Sequence, residues 1–167
     1  MQAWRQLCEK YEFNTVHQPT AGGKERFYSV RNGLELIPDN CLVGIHDGVR
    51  PIISKRLIIN TFQAAEQTGN AIPAIPLAES ARILEDDGAL AIPRERIRII
   101  QTPQVFHSTL IKEAYRQPYQ EEFTDDATVF ETAGHTVHMV EGDPRNIKIT
   151  RPEDLAVAEV LLQQLLH

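Results

Sequence analysis

Long apolar runs are missing from this 167-residue chain, and so is any excess of positive charge. No stretch approaches the roughly 20 apolar residues needed to cross a bilayer. The opening Met-Gln-Ala-Trp-Arg-Gln lacks the basic start and apolar stretch of a secretory signal. The expectation is a cytoplasmic chain with no membrane partner. Net charge is −6. That argues against a nucleic-acid partner, which needs a basic footprint. Cysteine is scarce: Cys8 and Cys41 stand far apart in apolar-leaning segments. They read as reduced core thiols, which excludes a disulfide framework and a metal knuckle. Repeats, low-complexity tracts and linkers are also lacking.

What is present suits one domain with a substantial core. Trp4, Leu7, Cys8 and Tyr11 recur at helical spacing, which predicts a helix over 2–11. Phe13 to His17 reads as a strand, and Pro19 to Gly23 as a breaker cluster. A helix from Glu25 would place Phe27, Val30, Leu34 and Leu36 on one face and stop near Pro38. Leu42 to Ile45 reads as a buried parallel strand, apolar on both faces. Ser54 caps a helix carrying Leu57, Ile58, Phe62 and Ala65, ended by Gly69-Asn70. Ala71 to Ile75 is the next strand. This alternation implies βαβ units and a mostly parallel sheet.

The pattern then changes. Glu79 to Leu84, a turn at Glu85–Gly88, Ala89 to Ile92 and Ile97 to Ile100 read as an arm leaving the sheet, at about residues 77–98. Further on come a helix from near Ser108, a helix capped by Thr124, and a strand over Thr136 to Val140. Thr150-Arg-Pro-Glu153 is a capping box. It opens a final helix expected to bury Leu155, Val160, Leu161 and Leu165.

Chemistry gathers where strands end. The loop His46–Pro51 (HDGVRP) follows the apolar run Cys41–Ile45. In an open α/β sheet ligands bind beyond the strand carboxyl ends. Asp47 could hold a divalent cation, Gly48 allows close backbone approach, and Arg50 could grip a phosphate. The same acid and arginine would also make an ordinary salt bridge. Four other segments join them: Gly22–Val30 (GGKERFYSV), Gln101–Phe106 (QTPQVF), Phe123–Ala127 (FTDDA) and Asn146–Asp154 (NIKITRPED). Glycines ahead of a helix suit anion binding through free backbone N–H groups.

These five segments, in this order, resemble the bacterial 2-C-methyl-D-erythritol 4-phosphate cytidylyltransferases of non-mevalonate isoprenoid biosynthesis. The likeness runs from about Gly22 to the C-terminus. It implies a Rossmann-like nucleotidyltransferase fold with a protruding β-arm, and a homodimer formed through that arm. It implies a reaction in which CTP and a sugar-alcohol phosphate give a CDP-alcohol and pyrophosphate, with magnesium. By resemblance Asp47 holds the metal. Gly23, Arg26 and Ser29 contact the cytosine end, and Gly48 lies against the nucleotide. Lys148 and Arg94 position the sugar phosphate, Arg94 coming from the arm and so from the partner subunit. Arg96, two residues on, could take that part. Arg50, Thr102, Thr124 and Asp126 line the same pocket. Ser80, in an arm position where the family has Thr, keeps a hydroxyl for the substrate.

The chain also departs from the family. Nothing before Gly22 matches the family's opening strand and Gly-rich loop, which cradle the triphosphate. The expectation is a fold with its first βα unit missing, and a polypeptide with little or no activity by itself. It would be either a truncated product or a fragment that survives through its dimer. The loop reads Asp-Gly-Val-Arg where the family has Asp-Ala-Ala-Arg. Two rivals stay open: a ribitol 5-phosphate cytidylyltransferase, and a non-catalytic dimerisation or nucleotide-binding remnant. A metal phosphohydrolase on His46-Asp47 lacks further ligands, since His107, His135 and His138 are not at ligand spacing. His17 and His167 read as surface residues.

Overall fold

A computed structural model describes residues 2–166, the side chains of residues 165 and 166 excepted, so the expectations for Leu165 and His167 lie outside it. The helices are α1 (Gln2–Lys10), α2 (Arg26–Leu34), α3 (Lys55–Thr68), α4 (Ser108–Ala114), α5 (Asp126–Thr132) and α6 (Pro152–Leu166). The strands are β1 (Leu42–Ile45), β2 (Asn70–Pro76), β3 (Ala81–Glu85), β4 (Gly88–Ile92), β5 (Arg98–Ile100), β6 (Gln104–His107) and β7 (Met139–Glu141). Phe13 to His17 forms no strand. Instead Phe13 and His17 fold back on Trp4, whose indole N–H bonds His17 at 2.8 Å.

The sheet is mixed, which corrects the mostly parallel expectation. β6 lies between β1 and β2 and runs antiparallel to both. β1 and β2 are therefore parallel to each other, as a βαβ unit through α3 requires, but they do not touch. The chain leaves β2, makes the arm and comes straight back, so the returning β5 and β6 must oppose β2. β7 closes the far side of β2 in parallel. β1 is consequently a half-exposed edge strand and not a buried parallel one.

Local signals behave as physics asks. The Ser54 hydroxyl accepts from Leu57 N, satisfying an orphan N–H of α3. Gly69 closes that helix at φ 84°, a left-handed conformation cheap only for glycine. Leu57 and Ala65 are buried inside α3, with Thr61 beside them, while Ile58 is exposed. Leu36 falls beyond α2 and is exposed. Asp125, not Thr124, caps α5 by accepting from Thr128 N. At α6 the reciprocal acid is Asp154, not Glu153: its carboxylate accepts from Thr150 N and Arg151 N.

One core joins α2, α4, α5 and the sheet: Phe27, Ile72, Phe106, Ile111, Tyr115 and Phe130 are all buried. Phe27 stacks on Tyr115 at 4.8 Å. α6 contributes Ala158 to the interior and leaves Leu155 and Val160 more than half exposed, against expectation. Apolar residues are spread all round this helix, so its pattern could not select a face. Cys8 and Cys41 are free and only half-buried, so neither is a core thiol. Among the described residues no helix is long and apolar enough to cross a membrane.

Candidate active site

β1 delivers the loop His46–Arg50 to the end of the sheet, and the strand break at Gln101–Pro103 holds it there. The Asp47 amide donates to the Thr102 hydroxyl at 3.0 Å, and that hydroxyl meets His46 Nδ1 at 2.9 Å. His46 Nε2 lies 3.0 Å from the Arg50 carbonyl, and Arg50 N donates to the Asp47 carbonyl at 3.0 Å. The Arg50 side chain turns inward and is only 9% exposed. Its guanidinium donates to the carbonyls of Asn146 at 2.8 Å and Ile100 at 3.3 Å.

The segment after β7 arrives on the opposite side. Ile149 N donates to the Val49 carbonyl at 2.8 Å. Lys148 thereby reaches across, its Nζ 3.1 Å from Asp47 Oδ2. Arg26, from the start of α2, lies 3.5 Å from the other carboxylate oxygen, and Arg50 Nε is 3.7 Å away. Burial works against ionisation of Asp47, but the bond from Lys148 and the charges of Arg26 and Arg50 outweigh it. The carboxyl stays below its ordinary value. Burial conversely lowers Arg50, which Asp47 offsets only in part.

Arg26 is anchored from behind. Its guanidinium grips both oxygens of Asp126 at 2.8 and 2.7 Å, a bidentate fork, and the Tyr115 hydroxyl donates to the same carboxylate. Burial would lower Arg26, yet Asp126 pushes it up. Burial beside the Asp126 carboxylate likewise pushes the Tyr115 hydroxyl up.

These groups surround a cavity of about 340 Å³. Arg26, Asp47, Arg50, Thr102, Thr124 and Lys148 line it, so six of the residues chosen from sequence converge. The others lie elsewhere. Asp126 is fully buried behind Arg26 and does not line the wall. Gly23 donates to the Ser29 hydroxyl at 2.9 Å, which ties the entry of α2 together away from the cavity. A Cβ at Gly23 would collide with Tyr28, so glycine is required there. Gly48 is exposed on its turn. Ser80 is exposed ahead of β3, and Arg94 donates to the Ala78 carbonyl at 3.0 Å within the arm. Neither reaches this cavity from the same chain.

Gln101, Gln104, Asp125 and Thr128 also line the wall, and the sequence reading gave them no role. Gln104 is fully buried, donates to Asp125 at 2.7 Å and accepts from Ala127 N. Two glutamines flanking Thr102-Pro103 were the available signal, since a buried amide must find partners.

A profile of the 2-C-methyl-D-erythritol 4-phosphate cytidylyltransferase family matches residues 2–164, so the likeness begins well before Gly22, where it was expected to start. The enzyme of that name from Porphyromonas gingivalis is 48% identical over 95% of this chain and 72% of its own length. That from Syntrophus aciditrophicus is 40% identical over 92% of this chain and 68% of its own. This chain belongs to the 2-C-methyl-D-erythritol 4-phosphate cytidylyltransferase family. Solved structures agree. The 4-diphosphocytidyl-2C-methyl-D-erythritol synthase of Anaerococcus prevotii superposes with a TM-score of 0.82 at 31% identity, covering 97% of this chain and 74% of that one. The cytidylyltransferase of Thermus thermophilus gives 0.78 at 29% identity over 96% and 88%.

Within that family frame, a roomier cleft of about 540 Å³ between α2 and α4 carries less chemistry. Its Lys112 is tied to Asp39 at 2.6 Å. The smaller cavity is the better candidate because an acid and three cations from separate segments converge there.

Proposed function

We propose that the cavity around Asp47 is where this chain performs the family reaction, joining CTP to 2-C-methyl-D-erythritol 4-phosphate. A phosphate oxygen of the sugar alcohol attacks the α-phosphorus. One P–O bond forms, the bond to pyrophosphate breaks, and pyrophosphate leaves. Two anions must meet, so the protein's task is to position them and offset their charge. The observation that carries this reading is the 3.1 Å approach of Lys148 to Asp47, flanked by Arg26 and Arg50.

In this reading Lys148 leaves Asp47 to bind the sugar phosphate. Arg94, or Arg96 beside it, comes from the arm of a second copy, and Ser80 offers its hydroxyl from the same place. Arg26 and Gly48 face the nucleotide, and Gly23 and Ser29, outside the cavity, meet its cytosine end. Thr102 acts through the loop, because its hydroxyl is already engaged by Asp47 N and His46. Thr124, exposed and free of the capping task, faces the substrate.

Among the described residues no cluster of three or more His, Cys, Asp or Glu is placed to hold a metal. Magnesium nevertheless fits, because it is commonly bound by one or two carboxylates together with substrate phosphates and water. Asp47 would be that carboxylate, and the ion would supply positive charge beside the phosphates.

The dimer is part of the same reading. Ile83, Leu84 and Leu90 are more than half exposed on the β3–β4 hairpin. A two-stranded ribbon is marginal in water without a partner surface. A second copy would cover it and bring Arg94 to the cavity.

Charge balance also predicts slow turnover by the 167-residue polypeptide. Arg26, Arg50 and Lys148 face Asp47, Asp125 and, behind the wall, Asp126. Apart from the metal ion and the partner's arm, little positive charge is left over for a triphosphate. Pyrophosphate release from CTP, magnesium and the sugar phosphate is the test. The expected release is slow, depends on Lys148 and is not supported by ribitol 5-phosphate. Release undiminished in Lys148→Met would sink the assignment of this cavity. Tight CTP binding with no release would favour the nucleotide-binding remnant.

A further inference from the structure

We infer that Asn146 is the positioning residue that holds Lys148 opposite Asp47. The two groups sit on separate loops, and a flexible lysine with its side chain 47% exposed does not find a carboxylate at 3.1 Å unaided. Asn146, two residues before Lys148, is fully buried. Its side-chain amide donates to the Thr102 carbonyl at 2.7 Å. Thr102 is the residue whose hydroxyl receives the Asp47 amide. The backbone carbonyl of Asn146 accepts from the Arg50 guanidinium at 2.8 Å and from Gln101 Nε2 at 3.3 Å. One residue therefore bonds both supports of the Asp47 loop, by side chain and by main chain.

Gln101 completes the clamp. It is 2% exposed, donates to the Asp143 carbonyl at 2.8 Å and accepts from Asp143 N at 3.0 Å. Gly142 lets the loop pass, since a Cβ there would press on Gln101 Oε1 and Ile75. The Asn146 amide oxygen has no partner among the described residues, so the Thr102 bond is the amide's one anchor. Asn146 need not touch substrate in this scheme; it acts through Lys148. Buried polar groups of this kind are costly unless bonded, which makes the arrangement specific.

The inference rests on the proposed role of the cavity, but its test is read from unfolding without any substrate, so the two can fail separately. The full chain, Asp47→Asn, Lys148→Met and the double variant form a cycle whose non-additivity measures the coupling of the pair. The cycle is repeated in Asn146→Ala and in Asn146→Asp, which keeps the shape but sets an oxygen against the Thr102 carbonyl. The expected coupling is about two- to fivefold in the unfolding constant of the parent chain. It falls to about unity in the Asn146 backgrounds. If Asn146→Ala does not fold, the Asn146→Asp cycle decides alone. Coupling that survives either substitution, whatever the loss of stability, would show Asn146 to be merely structural and overturn the inference. So would a coupling of unity in the parent chain, which would leave no held pair to position.

Discussion

The loops that carry Asp47 and Lys148 and the arm that carries Ser80 and Arg94 are built by opposite rules. The first are locked by buried polar side chains: Thr102, Gln101, Asn146 and Arg50 all lie at or below 9% exposure and bond across loops distant in sequence. The arm makes its bonds within itself. Among the described residues β3 pairs only with β4, and the hairpin's large apolar side chains are exposed. The cavity's acid and cations are thus held by the chain's own interior, whereas the arm's residues are held by the hairpin and its flanks alone. If a second copy covers the arm as proposed, a preorganised half and a borrowed half would together bring two anions to one place.

The largest contrast should appear in stability. Phe130 is 1% exposed and packs on Phe106 at 5.0 Å in the core. Phe130→Ala should cost about 3–5 kcal/mol by denaturant unfolding. If it cost no more than an arm substitution, the two regions would not differ as described. A smaller loss is expected from Tyr115→Phe, which removes the hydroxyl bond to the Asp126 carboxylate. About 1.5–3 kcal/mol is the range for a hydrogen bond to a charged group. CTP affinity should fall with it, because Asp126 holds Arg26; an unchanged affinity would detach Arg26 from the nucleotide.

Acid sharpens the comparison further. Arg145 bonds Asp143 and, against the effect of burial, holds its carboxyl down to about 2, from an ordinary value near 3.8. Asp47 is lowered as well. Between those pH values the unfolded chain takes up protons that the folded chain refuses. The stability these groups contribute is present above the ordinary value and lost as pH falls towards 2. Asp143→Asn should flatten that acid slope, as followed by circular dichroism. An unaltered slope would mean that the Arg145 contact does not bind the loop.

Much of this was legible in the residues. Ser54, Gly69 and the alternation of β1, α3 and β2 carry local chemistry that no distant partner overrules. Strand direction was not legible, because an apolar tetrapeptide such as Leu42–Ile45 reads the same whichever way its neighbour runs. The cap of α5 was expected at Thr124 and falls one residue later, at Asp125, which Gln104 bonds from a strand far away in sequence. Asp47 and Lys148 could be named because five motifs, none decisive alone, stand in one order along the chain. Asn146 and Gln101 stood inside those motifs without assigned roles, since a buried amide looks like any polar residue until its partners are seen.

The smallest effects belong to the arm. Leu84 is 84% exposed, and Leu84→Ala should change monomer stability by less than about 0.5 kcal/mol. Leu84→Asp should instead shift the chain towards monomer in light scattering. A dimer indifferent to that charge would place its interface elsewhere.

Calorimetric titration with 2-C-methyl-D-erythritol 4-phosphate, in magnesium and a CTP analogue that cannot release pyrophosphate, puts the central claim to trial most directly. The parent chain should bind the sugar phosphate, and Lys148→Met should bind it about tenfold or more weakly, as loss of a charge-assisted hydrogen bond requires. Equal affinity in the two proteins would contradict the account, because the lysine opposite Asp47 would then have no phosphate to hold.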